Sequence, residues 1–219
     1  MTASRPDRIA EGAKALGVVL NDEQVAMLHR YLDLLEKWNA AYNLTAIRQR
    51  EAMEVEHVLD SLSVAPFLAD TGETIVDVGT GAGLPGLVLA IAKPANRYVL
   101  VDSNGKKTRF LAQVVHALNL SNVEVRHARV EDIGEELAGQ ATTVVSRAFT
   151  SLANMVDGCN ALLLTGAQLL AMKGARPDSE IAELPPNIRV SCVKEIQVPG
   201  LNKSRHLVGI VRHDRRVAD

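Results

Sequence analysis

The residues best suited to chemistry are gathered in one stretch, Ile75-Val76-Asp77-Val78-Gly79-Thr80-Gly81-Ala82-Gly83-Leu84-Pro85-Gly86. A β-branched run passes into a glycine-rich loop and then into a helical pattern. Glycines let a backbone approach a ligand closely, and a loop that opens a helix turns its amide groups toward that ligand. The chemistry expected is the binding of a nucleotide-type cofactor at the carboxyl end of a first strand. Gly81, Gly83 and Gly86 also fit the dinucleotide fingerprint, whose pyrophosphate rests on the helix N-terminus. Asp77 argues against that fit, because it would set a carboxylate where a pyrophosphate should lie. The same carboxylate suits the ammonium and nearby sulfonium of S-adenosylmethionine, since opposite charges attract strongly in a partly dry site.

Further residues extend the cofactor reading. Asp102 follows the glycines by about twenty positions, where an acidic group accepts from ribose hydroxyls; its plainer reading is a turn cap with Ser103. Val130 and Glu131, with Asp132 beside them, fall where the backbone would meet an adenine edge, or else form an acidic loop that caps a helix. Arg147, in Ser146-Arg147-Ala148-Phe149, ends the fourth expected strand, the position from which class I methyltransferases usually supply substrate-binding residues. No Asp/Asn-Pro-Pro-Tyr motif for exocyclic amines is present, because Leu184-Pro185-Pro186-Asn187 lies elsewhere and lacks the tyrosine. Neither Cys159 nor Cys192 follows a proline, so the cysteine nucleophile of a cytosine C5 enzyme is missing too. These absences favour an acceptor that needs no deprotonation, such as guanine N7, with positioning and electrostatics as the main catalytic demands.

The elements that must position these groups fall into two textures. Up to about residue 70 the pattern is helical: Ala10 to Leu16 ending at Gly17, Asn21 to Trp38 with Asn21 and Gln24 placed as a capping box, and Glu51 to Phe67. Beyond Asp70-Thr71-Gly72, short β-branched runs alternate with helical stretches, the signature of a parallel sheet. Strands are expected at Thr74 to Val78, Tyr98 to Asp102, Val123 to Arg126, Thr142 to Ser146, Gln168 to Met172, Val190 to Gln197 and Arg205 to Val211. Helices are expected at Gly86 to Ala92, Lys106 to Leu118, Ile133 to Ala138, Ser151 to Leu164 and Pro177 to Leu184. The last two strands, joined by a tight Pro199-Gly200 loop, must be antiparallel neighbours. That closing pair resembles the end of a class I methyltransferase sheet. The expected organisation is a helical extension over 1–70, an α/β, Rossmann-like methyltransferase domain over 71–213 with a seven-stranded, mostly parallel sheet, and a flexible tail over 214–219.

Composition narrows the partners. With 47% hydrophobic and 23% charged residues the 219-residue chain is an ordinary globular protein, which excludes disordered, collagenous and membrane classes. One Trp, three Tyr and three Phe are too few to stack many bases. A formal charge of −2 leaves no global footprint for nucleic acid, so any contact must come from local groups. Lys106, Lys107 and Arg109, then Arg126 and Arg129, then Lys203, Arg205, Arg212, Arg215 and Arg216 form such groups, each also readable as a solvated face. Two distant cysteines, no metal-ligand spacing, and no apolar run near the ~18 residues of a membrane span point to a cytoplasmic, metal-free protein.

A more specific likeness rests on Tyr42-Asn43-Leu44-Thr45, His57-Val58-Leu59-Asp60-Ser61, the Asp77 to Gly86 loop, Asp102-Ser103-Asn104-Gly105-Lys106-Lys107, Ser146-Arg147-Ala148, Lys173-Gly174 and Arg205-His206-Leu207-Val208. Over nearly its whole length the chain resembles the RsmG (GidB) family of small-subunit ribosomal RNA methyltransferases, which methylate guanine N7 in 16S RNA. The resemblance implies cofactor contacts at Gly79, Leu84, Val130, Glu131 and Arg147, and a cluster of Asn43, His57, Arg129, Arg147 and Lys173 around the target. It implies S-adenosylmethionine as cofactor, with Asp77, Gly81, Gly83 and Asp102 completing its site. The partner implied is 16S RNA, in a 30S subunit or an assembly intermediate, met by a monomer. Lys106, Lys107 and Arg205 become candidate RNA contacts, and Arg147 is expected to hold the base or a phosphate. Glu56 departs from the family, which often has a basic residue before His57. Residues alone would make His57 a core or capping histidine, and Phe149 packs beside the target base or in the core. Rivals of other kinds are a small-molecule or protein methyltransferase, a dinucleotide-dependent oxidoreductase, and a module that only docks on RNA.

Overall fold

The computed structural model describes residues 7–147 and 151–213. Its frame is one seven-stranded sheet with strands β1 (Thr74–Val78), β2 (Arg97–Asp102), β3 (Val123–His127), β4 (Thr143–Ser146), β5 (Gln168–Lys173), β6 (Ile188–Glu195) and β7 (His206–Arg212), in the order β3-β2-β1-β4-β5-β7-β6. The first five pair in parallel, and β7 runs antiparallel to both β5 and β6. The seven expected strands are therefore present and their closing pair is antiparallel. The strand order carries a feature that pairing alone did not predict: β7 inserts between β5 and β6. The connection from Glu195 to His206 is a loop with a Val198–Leu201 turn, broader than a tight Pro199-Gly200 reversal.

Alternation along the strands divides the core. Ile75, Leu100, Val145, Leu170 and Leu207 face one layer, and Val76, Val99, Val144, Leu169 and Val208 face the other. The first layer holds α1 (Arg8–Ala15), α2 (Asp22–Tyr42), the segment from 50 to 67, α5 (Gly86–Ala92) and α6 (Gly105–Ala117), so the N-terminal helices share a continuous core with the sheet. The second layer holds α7 (Val130–Leu137), α8 (Leu152–Gly158) and α9 (Asn160–Leu164), with α10 (Asp178–Ala182) beyond β5.

The capping box of α2 forms as expected: Asn21 Oδ1 accepts from the Gln24 amide at 2.8 Å and the Asn21 amide donates to Gln24 Oε1 at 2.9 Å. Gln24 then donates to the Ile91 carbonyl, tying α2 to the end of α5.

Two expected helices are interrupted. The stretch Glu51 to Phe67 divides into α3 (Arg50–Met53), a π-helical segment Glu54–Leu59, α4 (Asp60–Leu62) and a 3₁₀ turn Ala65–Phe67. Wider π turns insert a residue and rotate the side chains that follow, which here turns His57 and Asp60 inward. Ser151 to Leu164 breaks at Cys159 into α8 and α9.

Candidate active site

Strand alternation sets the site. Asp77 lies two residues beyond Ile75 and so faces α5, where burial is complete. Its Oδ2 accepts from Thr80 Oγ1 at 2.6 Å and from the Gly86 amide at 2.7 Å. A Cβ on Gly86 would stand 2.6 Å from that oxygen, which is why the helix must open on glycine. Gly79, Gly81 and Gly83 all have positive φ, and the amides of Gly79 and Thr80 donate to the Val101 carbonyl. Burial raises the Asp77 carboxyl to about 6, against the pull of its two hydrogen bonds and of Arg147, and its Oδ1 has no partner among the described residues.

Asp102 braces the same loop from the next strand. Its Oδ2 accepts from the Gly81 amide at 2.9 Å and its Oδ1 from the Asn104 amide at 2.8 Å, so the turn-cap reading is realised. Lys107 Nζ stands 3.5 Å from Oδ2. From the other side, buried Tyr31 of α2 donates to the Ala82 carbonyl at 2.9 Å. Around this loop opens a cleft of about 340 Å³ bounded by Gly79, Asp102, Lys107, Arg129, Val130 and Glu131. Leu84 is buried beneath it in the core. Of the expected cofactor residues Gly79, Asp102, Val130 and Glu131 line this cleft, while Asp77, Gly81, Gly83 and Leu84 do not. The Gly79 backbone, with the unpartnered oxygen of buried Asp77 behind it, fits a cationic nucleoside cofactor.

A second cleft, about 310 Å³, lies over the ends of β4 and β5 and is lined by Glu56, His57, Asp60, Arg147, Lys173 and Arg205 among others. Arg147 follows Val145 by two and so faces the N-terminal layer. Its Nη1 donates to the Glu56 carbonyl at 3.0 Å and stands 3.5 Å from Asp60 Oδ2. Arg205 Nε donates to Asp60 Oδ1 at 2.7 Å, Lys203 pairs with Glu56 at 2.7 Å, and Lys173 pairs with Glu180 at 2.8 Å.

His57 is buried. Its Nδ1 faces the Glu56 carbonyl at 3.1 Å, which can only accept, so that nitrogen carries the proton. Nε2 then accepts from Thr45 Oγ1 at 2.9 Å. Burial, and then Arg147, lowers the ring to about 4, which keeps it neutral.

The two clefts lie on one carboxyl edge of the sheet, either side of the point where strand order reverses between β1 and β4. Ser146 Oγ donates to the Val78 carbonyl at 2.8 Å, so Arg147 enters at that boundary. Of the expected target cluster, His57, Arg147 and Lys173 meet. Arg129 lines the first cleft. Asn43 ends α2 in the left-handed region, exposed, with its Oδ1 accepting from Arg48, and lines neither cleft. Lys106 is exposed on the first turn of α6. Ala148, Phe149, Arg215 and Arg216 lie outside the described residues, as does the expected tail. Asp60 and Glu56 gather the cations; the sequence reading quoted Asp60 only within a motif and Glu56 only as a departure before His57, and gave neither a role.

Comparison with known proteins decides the family. Residues 24–208 match the family model described as GidB, rRNA small subunit methyltransferase G. The chain belongs to that family. Its relatives named ribosomal RNA small subunit methyltransferase G include one from Marinomonas sp. (strain MWYL1), 47% identical over 94% of this chain and 97% of that protein. Another, from Marinobacter nauticus, is 46% identical over 96% of both. Among solved structures, a protein in the NADB-Rossmann superfamily from Streptococcus agalactiae aligns with a TM-score of 0.58 at 13% identity, covering 73% of this chain and 70% of that one, a likeness of fold. Membership makes the chain a methyltransferase and sets aside the oxidoreductase reading. Among the described residues no helix is long and apolar enough to cross a membrane, and no group of three His, Cys, Asp or Glu is placed to hold a metal.

Proposed function

We propose that this protein transfers a methyl group from S-adenosylmethionine to guanine N7 of 16S ribosomal RNA. The observation that carries the acceptor is the state of the groups lining the second cleft. His57 is neutral with both nitrogens engaged, Glu56 is paired with Lys203, and Asp60 is held by Arg205 and approached by Arg147. None of them stands ready to take a proton, which favours an acceptor that has none to lose. When bound, S-adenosylmethionine supplies an electrophilic methyl carbon: the N7 lone pair forms the new bond as the carbon–sulfur bond breaks onto sulfur, and the positive charge passes to the purine.

The chain's own residues bind and orient. The Gly79–Gly83 backbone and buried Asp77 would receive the cationic end of the cofactor, Asp102 its ribose, and Val130 with Glu131 its base, while Leu84 supports the loop from below. Arg147, at the boundary of the two clefts, would hold the base or its phosphate without capping N7, and Lys173 would flank it. Bound neutral, His57 keeps the Glu56 carbonyl in place for Arg147. Lys106, Lys107, Arg129 and Arg205 supply phosphate contacts, and Asn43 acts only through the loop that carries Thr45. A cytoplasmic monomer acting on a 30S subunit or an assembly intermediate completes the reading.

The test is transfer of labelled methyl to undermethylated 30S particles, followed by mapping of the modified nucleotide. Label on N7 of a single guanine is the expected result. Label on another atom, or none while S-adenosylhomocysteine binds tightly and a control enzyme works, would overturn it.

A further inference from the structure

Asp60 is 1% exposed, and it lies where two charged side chains from distant parts of the chain converge. Its Oδ1 accepts from Arg205 Nε at 2.7 Å, and its Oδ2 faces Arg147 Nη1 at 3.5 Å. Arg147 ends β4, and Arg205 stands immediately before β7, so no shared element fixes one against the other. Arg205 has one more hold, from Nη1 to the Ser204 carbonyl, and Arg147 has one, to the Glu56 carbonyl. The Nη2 groups of both make no hydrogen bond to a described side chain or backbone group, and both residues line the acceptor-side cleft. A buried carboxylate between two guanidiniums is seldom the most stabilising solution, because desolvation offsets much of the attraction. What it supplies is geometry: a guanidinium pinned at one edge presents its other edge in a fixed direction.

We propose that Asp60 is a positioning residue that fixes Arg147 and Arg205 together, aiming their outer edges at one anionic group of the RNA acceptor. This inference rests on the cleft being the RNA acceptor site. Asp60 touches neither substrate nor cofactor and acts through the two arginines.

The test uses the full chain with Asp60→Asn, Arg205→Ala and the double variant. It measures binding to undermethylated 30S particles alongside methyl transfer, so that a failure of the N7 assignment is distinguishable from a failure of this inference. Asp60→Asn is expected to weaken 30S binding and raise the KM for 30S at least tenfold, while S-adenosylhomocysteine affinity stays within twofold. Arg205→Ala is expected to cost several-fold in the wild-type background and less than twofold on Asp60→Asn. Unchanged 30S binding in Asp60→Asn, equal loss of cofactor and 30S affinity, or effects that multiply in the double variant would each overturn the proposal. Asp60→Glu keeps the charge but shifts the carboxylate by a methylene, and covers the case in which Asp60→Asn does not fold. It is expected to raise the KM for 30S with cofactor affinity held, and a wild-type KM would count against the inference.

Discussion

Two buried ionisable groups titrate in opposite senses. Burial holds Asp77 at about 6, above its ordinary 3.8. The folded protein therefore binds that proton more tightly than the unfolded chain does, and the Asp77 contribution to stability is full below about 4 and lost as pH rises through about 6. His57 is pressed from 6.5 to about 4, so its contribution is full above about 6.5 and lost as pH falls through about 4. The two oppose each other across the same window. Urea unfolding of His57→Gln is expected to show its stability rising relative to wild type between pH 7 and 4.5, by on the order of 2 to 3 kcal/mol. Asp77→Asn is expected to fall relative to wild type over the same range. Parallel pH profiles for wild type and both variants would contradict this. At Gly86, a methyl group would meet Leu100 Cδ2 at 2.3 Å and Asp77 Oδ2 at 2.6 Å. Gly86→Ala is expected to cost about 1 to 3 kcal/mol in denaturation and to weaken S-adenosylhomocysteine binding.

Among the elements, α2 supports the glycine loop through one buried hydroxyl. Tyr31→Phe leaves the Ala82 carbonyl without its donor, at an expected cost of about 1 to 3 kcal/mol by chemical denaturation, with cofactor affinity falling in step. The strands and α2 were legible because their signals are local: β-branched runs, glycine punctuation, and an Asn21–Gln24 pair that needs nothing beyond its own turn. The break at Glu54–Leu59 was not legible, since apolar residues at helical spacing look the same whether the turn holds an extra residue or not. Insertion of β7 beside β5 was equally hidden, because an antiparallel pair reads the same in either order. The strand, glycine loop and helix around Asp77 were legible from local spacing, and residues alone gave His57 as a core or capping histidine, which its burial bears out. Asp60 was missed because its partners, Arg147 and Arg205, lie far away in sequence and meet it only through the fold.

For the molecule as a whole, a formal charge of −2 means that the proposed RNA binding must rest on a few local cations. Binding to 30S particles is expected to weaken with salt along a shallow log–log line, and Lys106→Ala to reduce its slope by about 0.7, the increment of one single-strand phosphate contact. An unchanged slope would place Lys106 on a merely solvated face. The joining of Asp60 to Arg205 has a further consequence, which concerns the order in which the chain is made. Glu56 and Asp60 are made before the glycine loop and the wall at Val130, Arg147 follows these, and Arg205 comes 145 residues after Asp60. A nascent chain folds from its N-terminus. The cleft at the glycine loop therefore has its residues in hand before the other cleft has its second guanidinium, and Asp60 waits for six strands to be made before the partner that completes it.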